Sequence, residues 1–325
     1  MNQVTEQKSS SHGAQKTLES LYEEAEGLSV TPGWIPRKTP IMITQECSVF
    51  RPQHWSYRSI HDALEAAGDL IDVELAERRN LILRNAILDN EWKTSQTLVC
   101  AYQMILPGEI APSHRHTSNA LRMIIDGKGS FSIVDGVKMP MESGDVVLTP
   151  GKHWHGHGHD GDEPAYWLDC LDVPLTYLLE PMDFQPHPQK FEAIRERTAE
   201  SPFRFSREFI AQELESAQAD PESIHGPRIV LPTPSMPAVG LRVERLETGR
   251  TYREHRVTAN RVFSVMEGSG ESRIGKATFA WTRGDTFVAP SSYWLQHHAG
   301  TDAMLLEISD EPLMRFVNYF SREIT

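Results

Sequence analysis

The fold is decided by one stretch, residues 108–157, which reads GEIAPSHRHTSNALRMIIDGKGSFSIVDGVKMPMESGDVVLTPGKHWHGH. His114 and His116 are separated by one residue, so on a β-strand their side chains point to the same face. His155 follows a run in which glycine, aspartate and proline mark tight turns between short strands. Because a third imidazole can then reach the first two, the three histidines predict a metal site.

Two spacings in this stretch resemble the paired motifs of the cupin superfamily. Gly108 is followed by five residues and then His-x-His, and Gly144 is followed by five residues and Pro150, with His155 five positions later. Many cupins have a glutamate ligand shortly after the second histidine, and this chain has no acidic residue there. We therefore expect three neutral imidazoles as ligands and about three open positions on a six-coordinate metal.

The remaining histidines of HWHGHGH have a simpler interpretation. A histidine-rich turn can be a solvated loop or an adventitious metal binder, and we favour this interpretation for His153 and His159. His157 is intermediate, because it follows His155 by two residues and can face the same cavity.

Composition excludes several classes of protein. The chain has 325 residues, 39% of them hydrophobic, and no apolar run approaches the 18 residues that a membrane span needs. A net charge of -13, without a basic cluster among aromatic residues, argues against a nucleic-acid partner. The three scattered cysteines predict reduced thiols, and the polar N-terminal segment predicts a tail in a cytoplasmic protein.

The second half of the chain repeats the pattern of the first. ANRVFSVMEG echoes SNALRMIIDG, GDTFVAP echoes GDVVLTP, and His255 stands where His114 does, at an internal offset of 140 to 141 residues. Val257 and Leu295 replace the other two ligands, so we expect no metal in the second half. His297 and His298 could ligate only with donors from elsewhere.

These patterns predict an all-β core made of two jelly-roll barrels, a bicupin, with an N-terminal helical arm and a helical connector. Helical spacing in the arm and proline-rich stretches around the connector set the boundaries. The predicted domains are a disordered tail (1–16), the helical arm (17–94), a metal-binding first cupin (95–180), the connector (181–237) and a degenerate second cupin (238–325).

The segments HRHTSNALRMIIDGKGSFSIVDG, TPGKHWHGHGHDG and YWLDCLDVPL resemble the gentisate 1,2-dioxygenase family, which includes salicylate and 1-hydroxy-2-naphthoate dioxygenases. The resemblance extends upstream through AERRNLIL and YQMILPGE. It implies Fe(2+) held by His114, His116 and His155, usually in a homotetramer. It also implies a small aromatic acid and O2 as reactants, with ring cleavage between the carboxyl- and hydroxyl-bearing carbons.

The same resemblance implies roles for several other side chains. Arg122 would bind the substrate carboxylate with its planar donor pair, the alternative being a surface ion pair. His157 would donate to the phenolic oxygen or assist proton transfer. Asp169 would lie near the site and orient an imidazole.

Two further pocket residues follow from the resemblance. Gln103 matches a pocket glutamine, the alternative being a strand-end hydrogen bond. Arg78 matches an arginine that reaches the pocket from the arm, of its own or a neighbouring subunit, the alternative being a solvated helix face. Asp172 is interpreted as structural.

Four positions depart from the family pattern and bear on the substrate. Ser118 and Asn119 replace Gln-Ser, Gly156 replaces the aspartate of WHDHG, and Cys170 replaces the glycine of WLDGLD. We expect these changes to alter the pocket around the ring position para to the ortho-hydroxyl. Gentisate is the family default, and a 5-substituted salicylate (5-nitrosalicylate or a halosalicylate) or 1-hydroxy-2-naphthoate is the alternative.

Two other classes of function remain open at this point. One is a non-oxidative cupin isomerase or decarboxylase that uses its metal as a Lewis acid, which strict oxygen dependence would exclude. The other is a ligand-binding bicupin without turnover, which could keep its ligand after replacement of His155.

Overall fold

A computed structural model of the chain describes residues 17–36, 42, 46–71 and 79–325. The chain divides into two compact units at residues 45 and 46. The first unit contains a helix, α1 (Leu18–Gly27), which begins in a capping box: the Thr17 side chain accepts from the Ser20 amide, and the Ser20 hydroxyl accepts from the Thr17 amide. The predicted tail, residues 1–16, lies outside the described residues.

The second unit contains the strands and the predicted site. Its first half consists of β1 (Gln53–Trp55), α2 (Tyr57–Leu70), β2 (Arg79–Ile82), β3 (Val99–Ile105), β4 (Ile110–His116), β5 (Ala120–Asp126), β6 (Ser130–Val134), β7 (Val137–Pro140), β8 (Val146–Thr149), β9 (His155–His159), β10 (Ala165–Leu171), α3 (Val173–Leu179), β11 (Phe184–Pro186) and β12 (Glu196–Arg197). Its second half consists of β13 (Arg204–Phe205), α4 (Arg207–Ser216), β14 (Arg228–Leu231), β15 (Gly240–Leu246), β16 (His255–Val257), β17 (Arg261–Glu267), β18 (Ser269–Ile274), β19 (Ala277–Thr282), β20 (Thr286–Ala289), β21 (Leu295–Ala299), β22 (Ala303–Ser309), α5 (Glu311–Phe316) and β23 (Arg322–Ile324). None of these helices, nor α1, is long and apolar enough to cross a membrane.

The strands of the second unit form two barrels of two sheets each, and each half of the unit supplies most of the strands of one barrel. In barrel 1 the strand orders are β13-β8-β5-β10-β3-β2 and β11-β4-β9-β6-β7-β12. In barrel 2 they are β1-β20-β17-β22-β15-β14 and β19-β18-β21-β16-β23. The first sheet given for each barrel has six strands, and these two sheets match strand for strand. The predicted all-β core of two barrels is therefore confirmed.

The segments that precede the barrels are exchanged between them. Strand β1 pairs with β20 of barrel 2, the Tyr57 amide at the start of α2 donates to Asp285, and β2 then pairs with β3 of barrel 1. The connector does the reverse: β13 pairs with β8, the Arg207 amide at the start of α4 donates to Asp145, and β14 pairs with β15. The duplicated unit therefore includes a strand–helix–strand segment ahead of each barrel.

Strands β3, β5 and β10 are buried on both faces. One face packs against the matching sheet of barrel 2, where Leu121 and Cys170 share a cluster with Val262 and Leu306. The other face lines the interior of barrel 1, where Trp167 belongs to a separate cluster. Because strand side chains alternate, Gln103, Arg122 and Asp169 point into barrel 1.

Candidate active site

The three predicted metal ligands lie together inside barrel 1. Strands β4 and β9 are neighbours, and His114 stands opposite His155 in their register. His116 shares the face of His114. One ring nitrogen of each histidine lies within 4.8 Å of the others, and the ring centroids of His114 and His155 are 4.3 Å apart. Among the residues the structure describes, this is the group of donors close enough to hold a metal ion.

A backbone carbonyl contacts Nδ1 of each of these rings. A carbonyl can only accept, so each Nδ1 carries the proton and Nε2 presents its lone pair as a ligand. The contacts are His114 Nδ1 to Pro112 O at 3.3 Å, His116 Nδ1 to Ser118 O at 2.8 Å, and His155 Nδ1 to His153 O at 3.0 Å. Three neutral imidazoles on rigid strands suit a divalent transition metal, so the residues present fit a metal cofactor.

The turn after His116 is fixed by Asn119 and Asp172. The backbone amide and the side-chain amide of Asn119 donate to the two carboxylate oxygens of Asp172, each at 2.7 Å. The Asn119 side-chain oxygen accepts from the Gly151 amide at 3.0 Å. Because this pair fixes the Ser118 carbonyl that orients His116, Asp172 has the structural position expected of it. Asn119 was not recognised from the sequence as its partner.

Arg122 and Asp169 form a buried pair on the same interior. Arg122 is 1% exposed, its Nε lies 3.0 Å from Asp169 Oδ1, and its Nη1 donates to Thr149 at 2.6 Å. Trp167 Nε1 donates to the other Asp169 oxygen at 3.2 Å. Burial lowers the pKa of Arg122 and the Asp169 charge opposes that shift. The alternative of a surface ion pair is wrong, because both side chains are buried.

The contacts of Asp169 place it behind the guanidinium. Its side chain contacts Arg122 and Trp167, whereas the family resemblance predicted that it orients an imidazole. The position of Asp169 therefore restrains the Arg122 guanidinium, and a role for Asp169 in the reaction stays a prediction.

His157 and Gln103 are both buried and face the interior. The His157 ring lies 6.1 Å from the His155 ring and 6.1 Å from the Trp167 ring, centroid to centroid. Gln103 stands opposite Trp167 in the register of β3 and β10. The structure therefore brings both of them to the cavity that contains the three ligand histidines.

Arg78 lies outside the described residues, and its neighbour Arg79 is not a pocket residue. The Arg79 guanidinium is buried against Glu109 with two contacts of 2.6 Å. His153 contacts Asp135 at 2.5 Å, and His159 contacts the Glu163 carbonyl at 2.5 Å. His153 is half-buried and held by its local contact, whereas His159 is a buried residue of β9, so the interpretation as a solvated loop is wrong for His159.

Phe184 is a cavity residue that sequence reasoning missed. It lies on β11, which pairs with β4 so that Phe184 faces His116 in register. Its ring stacks on His114 with centroids 5.2 Å apart. The segment EPMDFQPHPQ was interpreted as connector, because one aromatic residue among prolines gives no strand signal.

The four departures from the family pattern lie away from the cavity. A Cβ on Gly156 would point at Ser113 Oγ, 2.7 Å away on the opposite face of β9 from His155 and His157. Ser118 contacts Thr176 at 2.9 Å, Asn119 contacts Asp172, and Cys170 belongs to the cluster between the barrels. Strand alternation turns Gly156 and Cys170 away from the barrel interior, whereas Ser118 and Asn119 lie in the turn between β4 and β5 and bond to Thr176 and Asp172. The expected change of the pocket around the substrate ring is therefore not supported by the contacts of these residues.

Barrel 2 keeps the positions of the site with other residues. His255 stands opposite Leu295 in register, as His114 stands opposite His155. His297 is buried and contacts Ser272 at 2.7 Å, whereas His298 points outward and contacts Thr251. Only the first of these two histidines faces the barrel interior.

Comparisons with known proteins agree with this geometry. Residues 101–171 match the family model described as Cupin domain. The chain is 32% identical to gentisate 1,2 dioxygenase 1 of Aquipseudomonas alcaligenes, over 91% of this chain and 93% of that protein. It is 28% identical to 5-aminosalicylate 1,2-dioxygenase of Comamonas sp, over 95% and 91% of the two chains. A crystal structure of salicylate 1,2-dioxygenase from Pseudoaminobacter salicylatoxidans, in adducts with gentisate, superposes with a TM-score of 0.82 at 26% identity and covers 97% of this chain and 96% of its own.

Proposed function

This chain belongs to the gentisate 1,2-dioxygenase family of bicupin ring-cleaving dioxygenases, and we propose that it opens the ring of a 2-hydroxybenzoate between the carboxyl- and hydroxyl-bearing carbons. Its relatives are oxidoreductases of this kind. One observation carries the proposal: a cluster of three histidines and a buried arginine–carboxylate pair line the same barrel interior.

We assign the metal as iron(II), held by His114, His116 and His155. The donor set of three neutral imidazoles supports this choice, since imidazole suits iron and leaves coordination positions open. When bound, iron(II) supplies the redox chemistry by which an aromatic ring and dioxygen react.

Arg122 is the residue that would bind the substrate carboxylate. In the described part of the chain, Nη1 is held by Thr149 and Nε faces Asp169, so Nη2 is the donor available to a ligand. A guanidinium held from behind loses little freedom when it binds, and a charge-assisted hydrogen bond is stronger in a buried cavity. Arg122 therefore sets the orientation of the ring.

His157 and Gln103 would act on the remaining polar groups of the substrate. His157 lies two residues from His155 on the same inner face and can take or return the proton of the phenolic hydroxyl. Gln103 can donate to or accept from a ring substituent on the opposite wall. Phe184, stacked on His114, contributes apolar surface at the edge of the cavity.

Gentisate is our first choice of substrate. The relatives named above act on gentisate or on 5-aminosalicylate, and the salicylate 1,2-dioxygenase structure holds gentisate. A second candidate is a 5-substituted salicylate, such as 5-nitrosalicylate or a halosalicylate, and a third is 1-hydroxy-2-naphthoate. All of them present the carboxylate and ortho-hydroxyl that Arg122 and His157 are placed to bind.

An oxygen-electrode assay of iron-reconstituted protein tests the function. The panel is salicylate, gentisate, 5-nitrosalicylate, 5-chlorosalicylate and 1-hydroxy-2-naphthoate, with ring absorbance followed in parallel. We expect one dioxygen consumed per ring opened, with gentisate fastest. Turnover without oxygen would favour a non-oxidative cupin enzyme, and binding without any absorbance change across the panel would favour a ligand-binding protein.

The homotetramer and the role of Arg78 stay predictions from the family resemblance, and the cytoplasmic location stays a prediction from the sequence. Sedimentation of the purified protein measures the assembly. If Arg78 serves a neighbouring pocket, mixing an Arg78→Ala chain with a His155→Ala chain will recover activity in mixed assemblies.

A further inference from the structure

Barrel 2 contains a cavity of about 120 Å³ at the place that corresponds to the candidate active site. His255 and Val257 line it on β16, as His114 and His116 line barrel 1 on β4. Arg322 faces Val257 across β23 and β16, as Phe184 faces His116 across β11 and β4. The cavity is therefore the second copy of the site, with different side chains.

The main replacement is Arg261, which stands where barrel 1 has Ala120. Ala120 pairs with Thr149 at the start of β5, and Arg261 pairs with Ala289 at the start of β17. Arg261 Nη1 lies 2.7 Å from His255 Nε2. This is the ring nitrogen that corresponds to the metal-ligating nitrogen of His114, so a guanidinium takes the place of a metal cation.

Arg261 is buried, and among the described residues no carboxylate forms a direct ion pair with it, although the charges of Glu307, Glu311 and Glu244 act on it from farther away. It is 2% exposed, and its Nε has no hydrogen-bond partner among the described residues. Its other close contact is with the face of Phe263, at 5.9 Å from the ring centroid. Burial outweighs these distant charges and lowers the pKa of Arg261, because a cation removed from water needs close pairing to compensate.

The carboxylates around the cavity are paired with other groups. Glu307 lies 2.9 Å from Arg242 and 3.9 Å from Arg228, and Glu311 contacts Arg242 and Arg315 at 2.8 and 2.7 Å. Glu244 lies between His225 and His297, at 3.4 and 3.7 Å. The lining therefore has five arginines, namely Arg228, Arg242, Arg261, Arg315 and Arg322, against the carboxylates of Glu307 and Glu311.

We propose that the barrel 2 cavity binds a small oxyanion, a carboxylate or a phosphate, whose charge pairs with Arg261. A guanidinium fork matches two oxygens of either group, and the positive lining provides further donors. The volume of about 120 Å³ exceeds that of one water and suits a small anion. Such an anion binds the folded chain only, so it stabilises the fold.

Thermal unfolding of the full-length protein tests this site. Millimolar phosphate or acetate is compared with sodium chloride at equal ionic strength, for wild type, Arg261→Gln and Arg273→Gln. Arg273 lies on β18 of the same barrel with its side chain outside, next to Glu254, so it is the matched control. We expect the better anion to raise the wild-type and Arg273→Gln melting temperatures by several degrees, and Arg261→Gln to lose that shift with an affinity at least ~10-fold weaker.

The two anions distinguish the sources of the charge. If phosphate but not acetate raises the wild-type melting temperature, the site binds phosphate. If acetate raises the melting temperature of wild type but not of Arg261→Gln, the site binds carboxylates. An equal fall in the melting temperature of Arg261→Gln in every buffer would show a structural arginine only and would overturn the proposal. If Arg261→Gln does not fold, diffraction from wild-type crystals grown with selenate decides: an anomalous peak beside Arg261 supports the site, and its absence overturns it.

Discussion

The two barrels share a scaffold and differ in what points inward. Both have an Asn–Asp clamp after the first histidine strand: Asn119 binds Asp172, and Asn260 donates to Asp310 from its amide at 2.8 Å and its side chain at 2.7 Å. The inward residues differ at several corresponding positions, among them His116/Val257, His155/Leu295, Ala120/Arg261 and Arg122/Phe263. A duplicated fold therefore preserves its turns and its interface while single inward side chains decide which copy can hold a metal.

The interior of barrel 2 is also filled differently. Phe263 stacks on Phe287 at 5.0 Å and Phe287 on Trp281 at 6.3 Å, so aromatic rings occupy space that is open and polar around Arg122. Stacked rings stabilise the folded state by their packing energy, which the polar interior around Arg122 lacks. This contrast supports the proposal that the reaction takes place in barrel 1, where the histidine cluster lies.

The largest contrast is expected between His155→Ala and His255→Ala. Loss of a ligand should weaken iron binding by more than ~100-fold and abolish ring cleavage, since even removal of a residue behind a ligand costs 10–100-fold. His255 is not in the active barrel, so its replacement should keep iron content and turnover. Elemental analysis and the oxygen-electrode assay measure both. Full activity of His155→Ala would contradict the assignment of the iron site to barrel 1.

Arg122→Gln should raise KM for the aromatic acid by ~10- to 100-fold, because a charge-assisted hydrogen bond to the carboxylate is lost. It should also destabilise the fold by about 3–5 kcal/mol, because Asp169 remains buried without its partner. The counterpart Phe263→Leu should affect stability alone. Steady-state kinetics and urea unfolding separate the two effects. An unchanged KM in a folded Arg122→Gln protein would exclude Arg122 as the carboxylate site.

The clamps allow a matched pair of variants, Asn119→Ala and Asn260→Ala. Each removes hydrogen bonds to a buried carboxylate and should cost about 1–3 kcal/mol of unfolding free energy. Asn119→Ala should in addition weaken iron binding by ~10-fold, because the Ser118 carbonyl orients His116. A chelator titration measures the iron affinity. Equal iron affinity in the two variants would remove the link between this turn and the metal.

The smallest effect on the candidate active site is expected from His297→Gln, which should change only the pH dependence of stability. The variant of its exposed neighbour, His298→Gln, is the control. Burial, opposed by Glu244 and reinforced by Arg261, lowers the pKa of His297 to about 4. In the unfolded chain His297 is therefore protonated below the ordinary pKa of about 6.5, whereas in the folded chain it is protonated only near pH 4. The contribution of neutral His297 to the free energy of unfolding is therefore complete above pH 6.5 and is lost as the pH falls toward 4.

Urea unfolding between pH 4 and 7 measures this slope. His297→Gln should reduce it by up to about 1.4 kcal/mol per pH unit, and His298→Gln should leave it unchanged. His255 contributes to the same window, because burial lowers its pKa as well, so the slope will not vanish. An identical slope in wild type and His297→Gln would mean that Glu244 keeps His297 protonated.

The sequence predicted the ligand histidines because a strand period of two and two turn spacings fix their direction. The family resemblance also named Arg122, Gln103 and His157, which are buried and face the interior of barrel 1, while their roles stay predictions. The sequence did not predict which face of each strand lines the barrel. Gly156 alternates with His155 and His157, so a side chain at this position would point away from the three ligand histidines. Phe184 and the exchange of β1 and β13 between barrels could not be predicted, because pairing between distant short strands leaves no local pattern.

Iron stoichiometry tests the contrast between the barrels most directly. Anaerobic calorimetric titration of metal-free protein with iron(II) counts the sites in the intact assembly, and His155→Ala shows which barrel holds them. We predict one iron per chain in wild type and none in His155→Ala. Two irons per chain, or one iron that survives loss of His155, would contradict a single metal centre in barrel 1.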